Sequence, residues 1–208
     1  MQGVDTLFFI VILIMSVVIH EVSHGFAAYY FGDKTALYAG RLTLNPLKHL
    51  DMFGSVILPF LLVIIKAPFL FGWAKPVPYN PENFENKKLG TLAVASAGIL
   101  SNIFLAVVFG LLMRLSLKYF FSPDLLAILS LIVMVNLGLA IFNLMPVPPL
   151  DGSKILFELL PRSMYSVISF MERYALFLIL LFIVFFADYL YPILSYFSLF
   201  GRIQGVRE

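Results

Sequence analysis

Residues 7–31 form an apolar run of 25 residues with His20, Glu21 and His24 in it. A run of that length makes about 37 Å of helix, enough to cross a bilayer with some tilt. Hydrocarbon offers backbone groups no water, so a helix is the form such a run must take there. A charged side chain near the centre of a membrane helix costs about 2.5–3.5 kcal/mol on insertion scales. Three ionisable groups clustered in one run therefore need compensation. On a helix His20 and His24 lie one turn apart on the same face. Two imidazoles at that spacing can hold one Zn²⁺, and a carboxylate beside the first can act on water at the metal.

The rest of the chain places this run among others like it. Of 208 residues, 61% are hydrophobic and 12% charged, where soluble domains carry about a quarter charged. The expected fold is an all-α polytopic membrane protein of about four to six transmembrane helices, with a re-entrant segment and short β-like loops. It reads as a single integral-membrane domain over 1–208, with a catalytic core at about 7–160 and a C-terminal membrane segment at about 161–208. The net charge of +2 says little by itself, because placement matters more than the total, and no nucleic acid is expected as a partner. Cysteine is absent, so any metal must be held by His, Asp or Glu. Met1-Gln-Gly-Val-Asp5 lacks the basic start of a cleavable signal, and the first run reads as a permanent helix.

Gly32-Asp33 ends that helix. Ala39-Gly-Arg-Leu-Thr-Leu-Asn-Pro46 alternates and hints at a short strand. Phe53 to Trp73 is apolar but broken by Pro59, Lys66, Pro68 and Gly72; it either spans or enters and returns on the same side. Pro76, Pro78 and Pro81 make the following stretch extended. Thr91 to Met113 is a membrane helix with a small-residue face and Asn102. Ser122-Pro123 starts another, with Ser122 as N-cap and Pro123 at the first helical position. It runs to about Leu144 and contains Asn136 and Asn143. A short helix follows over 153–160, then an amphipathic connector and a last apolar segment from about Tyr174 to Ala187. Asp188 reads as a helix end, and 189–200 as interfacial.

A catalytic zinc usually has three protein ligands. Candidates for the third are His49, Asp51, Asp151, Glu158, Asp188 and the asparagines. Asp151 is preferred, since it follows a membrane helix in a Pro-rich turn where unwound backbone can aim a side chain inward. Charge placement supports this. If 53–73 is re-entrant, Lys34, Arg41, Lys48, Lys75, Lys87, Lys88, Lys154, Arg162 and Arg173 share one face, while Arg114, Lys118, Arg202 and Arg207 occupy the other. That asymmetry fits the positive-inside rule, with the N-terminus outside and the metal site nearer the cytosol. It also puts Asp151 on the side toward which His24 points.

His20-Glu-Val-Ser-His24, Ala97-Gly-Ile-Leu-Ser-Asn102 and Asn143-Leu-Met-Pro-Val-Pro-Pro-Leu-Asp-Gly152 together resemble the site-2 protease family of intramembrane zinc metalloproteases. Gly40 to Pro46 and Gly72 to Pro78 look like its compact prokaryotic branch, without PDZ or CBS domains. The resemblance covers about residues 7–160. It implies one Zn²⁺ per chain on His20, His24 and Asp151, and Glu21 as general base. It also implies a role for Asn143 in positioning substrate or stabilising an oxyanion, and a less defined role for Asn102. Where the family's middle motif has Pro, this chain has Ile99. The implied function is hydrolysis of peptide bonds in or near transmembrane segments, as in regulated intramembrane proteolysis. The implied partners are a membrane-protein substrate and the lipid bilayer, and the location is the cell membrane. The competing classes are a metal-binding transporter and a non-catalytic membrane scaffold; the intact Glu21 and the absence of an inverted repeat speak against them.

Overall fold

The structure, a computed structural model, describes residues 2–65, 73–118 and 122–183. These residues are mostly helical, with no strand among them. The helices are α1 (Gln2–Tyr30), α2 (Thr35–Tyr38), α3 (Leu58–Ile64), α4 (Lys87–Lys118), α5 (Pro123–Leu144), α6 (Asp151–Leu159), α7 (Tyr165–Arg173) and α8 (Ala175–Ile183). Three are long and apolar enough to cross a membrane, over Leu7–Tyr30, Lys87–Leu115 and Pro123–Leu144. The bent pair α7–α8, with a 72° angle between its halves, brings the count to four if it is one span. Large apolar side chains along these helices stay exposed, among them Leu100, Phe104, Val107 and Leu111 of α4. In a soluble protein such a surface marks a liability; here it is what lipid covers.

The chain divides into two compact units. One is Leu13–Gly98; the other joins Met1–Ile12 to Ile99–Glu208.

In the first unit α1 ends as Gly32-Asp33 suggests. Gly32 has φ of 102°, a conformation open to glycine. Its N–H donates to the Tyr29 carbonyl, and the Asp33 N–H reaches back to Ala28. This paired closure satisfies carbonyls that a helix end leaves over. Gly40, φ 62°, closes α2 the same way, with Arg41 N–H on the Ala36 carbonyl. The alternation at 39–46 does not become a strand. Its groups go instead to this closure and to side chains: His49 Nε2 donates to the Thr43 carbonyl at 2.8 Å.

The 53–73 stretch forms a wide turn at Met52–Ile57 and the two-turn α3. Seven residues of α3 make about 10 Å, well short of a 30 Å hydrocarbon layer. Trp73 N–H donates to the Gly54 carbonyl at 3.2 Å, and Ser55 Oγ donates to the Trp73 carbonyl at 2.7 Å. The two ends of the stretch therefore lie side by side, as a re-entrant segment needs and a spanning helix forbids. Lys66, Pro68 and Gly72 themselves lie outside the described residues. Extended chain follows over 73–80, and Ala28, Phe84 and Val94 form a buried cluster packed by Ala27, Phe31 and Tyr79.

In the second unit Ser122 caps α5, accepting the Leu125 N–H at 3.3 Å, with Pro123 at the first helical position. α5 stops at Leu144 before Met145-Pro-Val-Pro-Pro149, and α6 begins at Asp151. The expectations for Asp188 and for 189–200 fall outside the described residues.

Candidate metal centre

The centre is built on the buried face of α1, inside the first unit. Ser16, His20 and His24 are buried along that face, and Val18 and Val22 are buried on the other side of the helix. Among the described residues His20, Glu21 and His24 form the one group of three His or acidic residues whose ligand atoms all lie within 4.8 Å of one another. His20 Nε2 and His24 Nε2 are 3.0 Å apart. The rings stand edge to face, with centroids 4.6 Å apart and planes at 87°.

Tautomers follow from partners. His24 Nδ1 lies 2.6 Å from the Val94 carbonyl of α4. A carbonyl only accepts, so Nδ1 carries the hydrogen and Nε2 presents a lone pair. Metal-bound histidines are commonly oriented by this kind of outer bond. Glu21, half-buried, is held from a different direction: its Oε2 accepts the Val77 N–H at 2.9 Å.

Whether these residues suit zinc can be tested on two points. Tetrahedral zinc with imidazole bonds of about 2.0–2.1 Å sets its nitrogens about 3.3 Å apart, close to the observed separation. Space is also reserved. A Cβ placed on Gly98 of α4 would lie 2.5 Å from His20 Cε1 and 2.6 Å from both Nε2 atoms. Glycine thus keeps a gap over the two donor nitrogens, and the donor set fits the metal.

Asp151, Asn143 and Asn102 lie in the second unit. Asp151, 5% exposed, is the first residue of α6, with Lys154 Nζ 3.4 Å from its Oδ1. Asn143 donates from Nδ2 to the Leu139 carbonyl at 2.9 Å, one turn back on α5. Asn102 is fully buried and receives Ser101 Oγ at 3.4 Å. Of the other ligand candidates, His49 is tied to Thr43, and Asp51 accepts the Gly54 N–H at 2.7 Å to start the turn at Met52. Both serve the loop. Glu158 is half-buried in α6. Sequence reasoning did not single out Val94, Val77 or Gly98 at this centre. Two act through backbone groups, which any residue type supplies; the third acts by lacking a side chain.

The chain is similar to known proteins. A family model described as Peptidase family M50 matches residues 116–187. YwhC of Bacillus subtilis (strain 168), which bears the name "Putative zinc metalloprotease", is 38% identical over 195 residues, covering 91% of this chain and 83% of that protein. The chain belongs to peptidase family M50. Rip2 of Mycolicibacterium smegmatis, named in the same way, is 32% identical over 142 residues, covering 67% of this chain and 52% of Rip2. No solved structure matches the chain. As an M50 member of the site-2 protease type the chain is a zinc metalloprotease, and its long apolar helices make it a membrane protein.

Proposed function

We propose that this M50 peptidase hydrolyses peptide bonds in or near transmembrane segments of membrane-protein substrates, as in regulated intramembrane proteolysis. One Zn²⁺ per chain is held by His20, His24 and Asp151, at a site nearer the cytosolic face of the cell membrane. Zinc there supplies Lewis-acid polarisation of a carbonyl and acidifies water to a pKa of about 7. Glu21 takes the proton from the attacking water and delivers it to the leaving amine. Asn143, whose amide keeps one hydrogen beyond its bond to Leu139, is the donor to the developing oxyanion. Asn102, buried in α4, supports the substrate site from its helix.

One observation carries this reading. The Nε2 atoms of His20 and His24, 3.0 Å apart, and a carboxylate sit within an apolar helix, under a gap kept by Gly98. A site at that depth meets a substrate that is itself in the membrane. The charge asymmetry across the helices and the meeting of the ends of 53–73 support the cytosolic placement. The charge placement also supports Asp151 as third ligand.

The test compares the parent with Glu21→Gln, His24→Ala and Asp151→Ala on a membrane-embedded reporter, with zinc measured by atomic emission. Glu21→Gln keeps zinc and loses cleavage, whereas the two ligand variants lose both. Parental cleavage by Glu21→Gln would sink the assignment of the base. Full zinc in Asp151→Ala would remove Asp151 from the ligand set.

A further inference from the structure

The Glu21 carboxylate depends on a segment far from it in sequence. Its partner, the Val77 N–H, lies 2.9 Å from Oε2. Pro76 and Pro78 have no N–H, so Val77 holds the sole backbone donor of residues 76–78, and Glu21 receives it. The position of the carboxylate is then set by whatever sets this stretch of backbone.

Arg41 does much of that. Its Nη2 donates to the Lys75 carbonyl at 2.6 Å and to the Pro76 carbonyl at 3.4 Å. The residue is 6% exposed, its Nε is buried without a hydrogen-bond partner, and no described carboxylate pairs with it. A buried cation with no counter-ion is costly, and here its donors go to the two carbonyls that precede Val77. Its own backbone is pinned by the bond to Ala36 beyond Gly40, and Lys75 N–H is further tied to the His49 carbonyl at 2.8 Å. Gly25, one turn along α1 from Glu21, allows the close approach. A Cβ there would lie 2.9 Å from Val77 Cγ1 and 2.5 Å from Leu42 Cδ2.

We infer that Arg41 is a positioning residue: its guanidinium holds the backbone of 75–77 so that the Val77 N–H fixes the Glu21 carboxylate. This rests on the reading of Glu21 as general base. The hydrogen bond matters to turnover through orientation, since a base must stay within reach of the proton it takes.

The experiment uses the full chain in lipid. Arg41→Met keeps an apolar stem and removes the donors; Arg41→Lys keeps charge and one donor group; Glu21→Gln is the inactive reference. Zinc content, kcat and KM on a membrane-embedded reporter, and amide exchange across 74–79 are measured for each. Arg41→Met is expected to keep parental zinc and a KM within about twofold, while kcat falls about tenfold or more. Exchange across 74–79 rises, and Arg41→Lys recovers part of both losses. A further variant replaces the Val77 amide by an ester, removing the donor without touching Arg41, and shows the same kcat loss. That variant decides the matter if Arg41→Met does not accumulate.

Parental kcat in Arg41→Met or in the ester variant, with Glu21→Gln inactive, overturns the inference and leaves the base assignment standing. A rise in KM alone, or a fall in kcat without faster exchange, also overturns it. Parental cleavage by Glu21→Gln overturns the assignment of the base and the inference with it.

Discussion

The His20–His24 turn of α1 and the turn that opens α6 at Asp151 place their polar groups by opposite means. At the first, the backbone is ordinary helix, and the partners come from distant segments: the Val94 carbonyl, the Val77 N–H and the gap at Gly98. At the second, the partners are local. Leu150 N–H reaches the Val147 carbonyl, Ser153 Oγ donates to the Leu150 carbonyl at 2.6 Å, and Lys154 neighbours Asp151. Gly152 packs directly on the Leu144 carbonyl group, and a Cβ there would lie 2.6 Å from the Met145 oxygen. One place is assembled by tertiary contacts; the other is wound into a few consecutive residues. Damage should therefore spread differently from each.

The largest effect is expected from Gly152→Ala. The added methyl meets backbone, which cannot swing aside, so the cost is about 3 kcal/mol or more. Thermal unfolding in detergent should fall by on the order of 10 °C. An unchanged unfolding temperature would show that backbone packing does not set the Asp151 turn.

Gly98→Ala sharpens the contrast. The methyl would meet the tips of His20 and His24, and side-chain tips can rotate, so the protein folds with a loss of about 1–2 kcal/mol. Zinc affinity, read by chelator competition, should drop about tenfold or more because the donors are displaced. Parental affinity would mean that the gap over the two nitrogens is dispensable.

A smaller and pH-dependent effect is expected at Asp33, which ties the end of α1 to the 80–83 loop. Its carboxylate is fully buried and accepts from Thr35 N–H and Oγ1, Asn80 N–H and Asn83 Nδ2. Burial pushes the carboxyl up, but the hydrogen bonds from Thr35, Asn83 and Asn80 outweigh it and hold the group below its ordinary 3.8. A depressed folded value means the stabilisation is complete above that ordinary value and is lost as pH falls through the lower one. Asp33→Asn should cost about 1 kcal/mol at neutral pH. It should also flatten the acid limb of a stability-against-pH curve, and a limb as steep as the parent's would reassign it to other carboxylates.

Much of this was legible in the residues. Length and apolarity picked out α1, α4 and α5, because a membrane leaves few backbone solutions. Ser122-Pro123 marked the start of α5, and Gly32 the end of α1, since capping is local chemistry. The spacing of His20 and His24 gave their shared face for the same reason. The alternating stretch at 39–46 misled, because alternation describes side chains, whereas its backbone groups were claimed by the Gly40 closure and by His49. Arg41 and Lys75 read as charges on one side of a membrane, yet Arg41 is buried among carbonyls.

What the sequence determined by itself was the set of membrane-length helices and the His-Glu-His face, both consequences of short-range spacing, and the resemblance to the site-2 protease family carried by three motifs in order. Only the tertiary structure decided that 53–73 closes on itself, that Gly98 keeps the nitrogens uncovered, and that Glu21 is held by Val77. Those are meetings of residues 18 to 78 positions apart, made through backbone groups and empty space that no residue type announces.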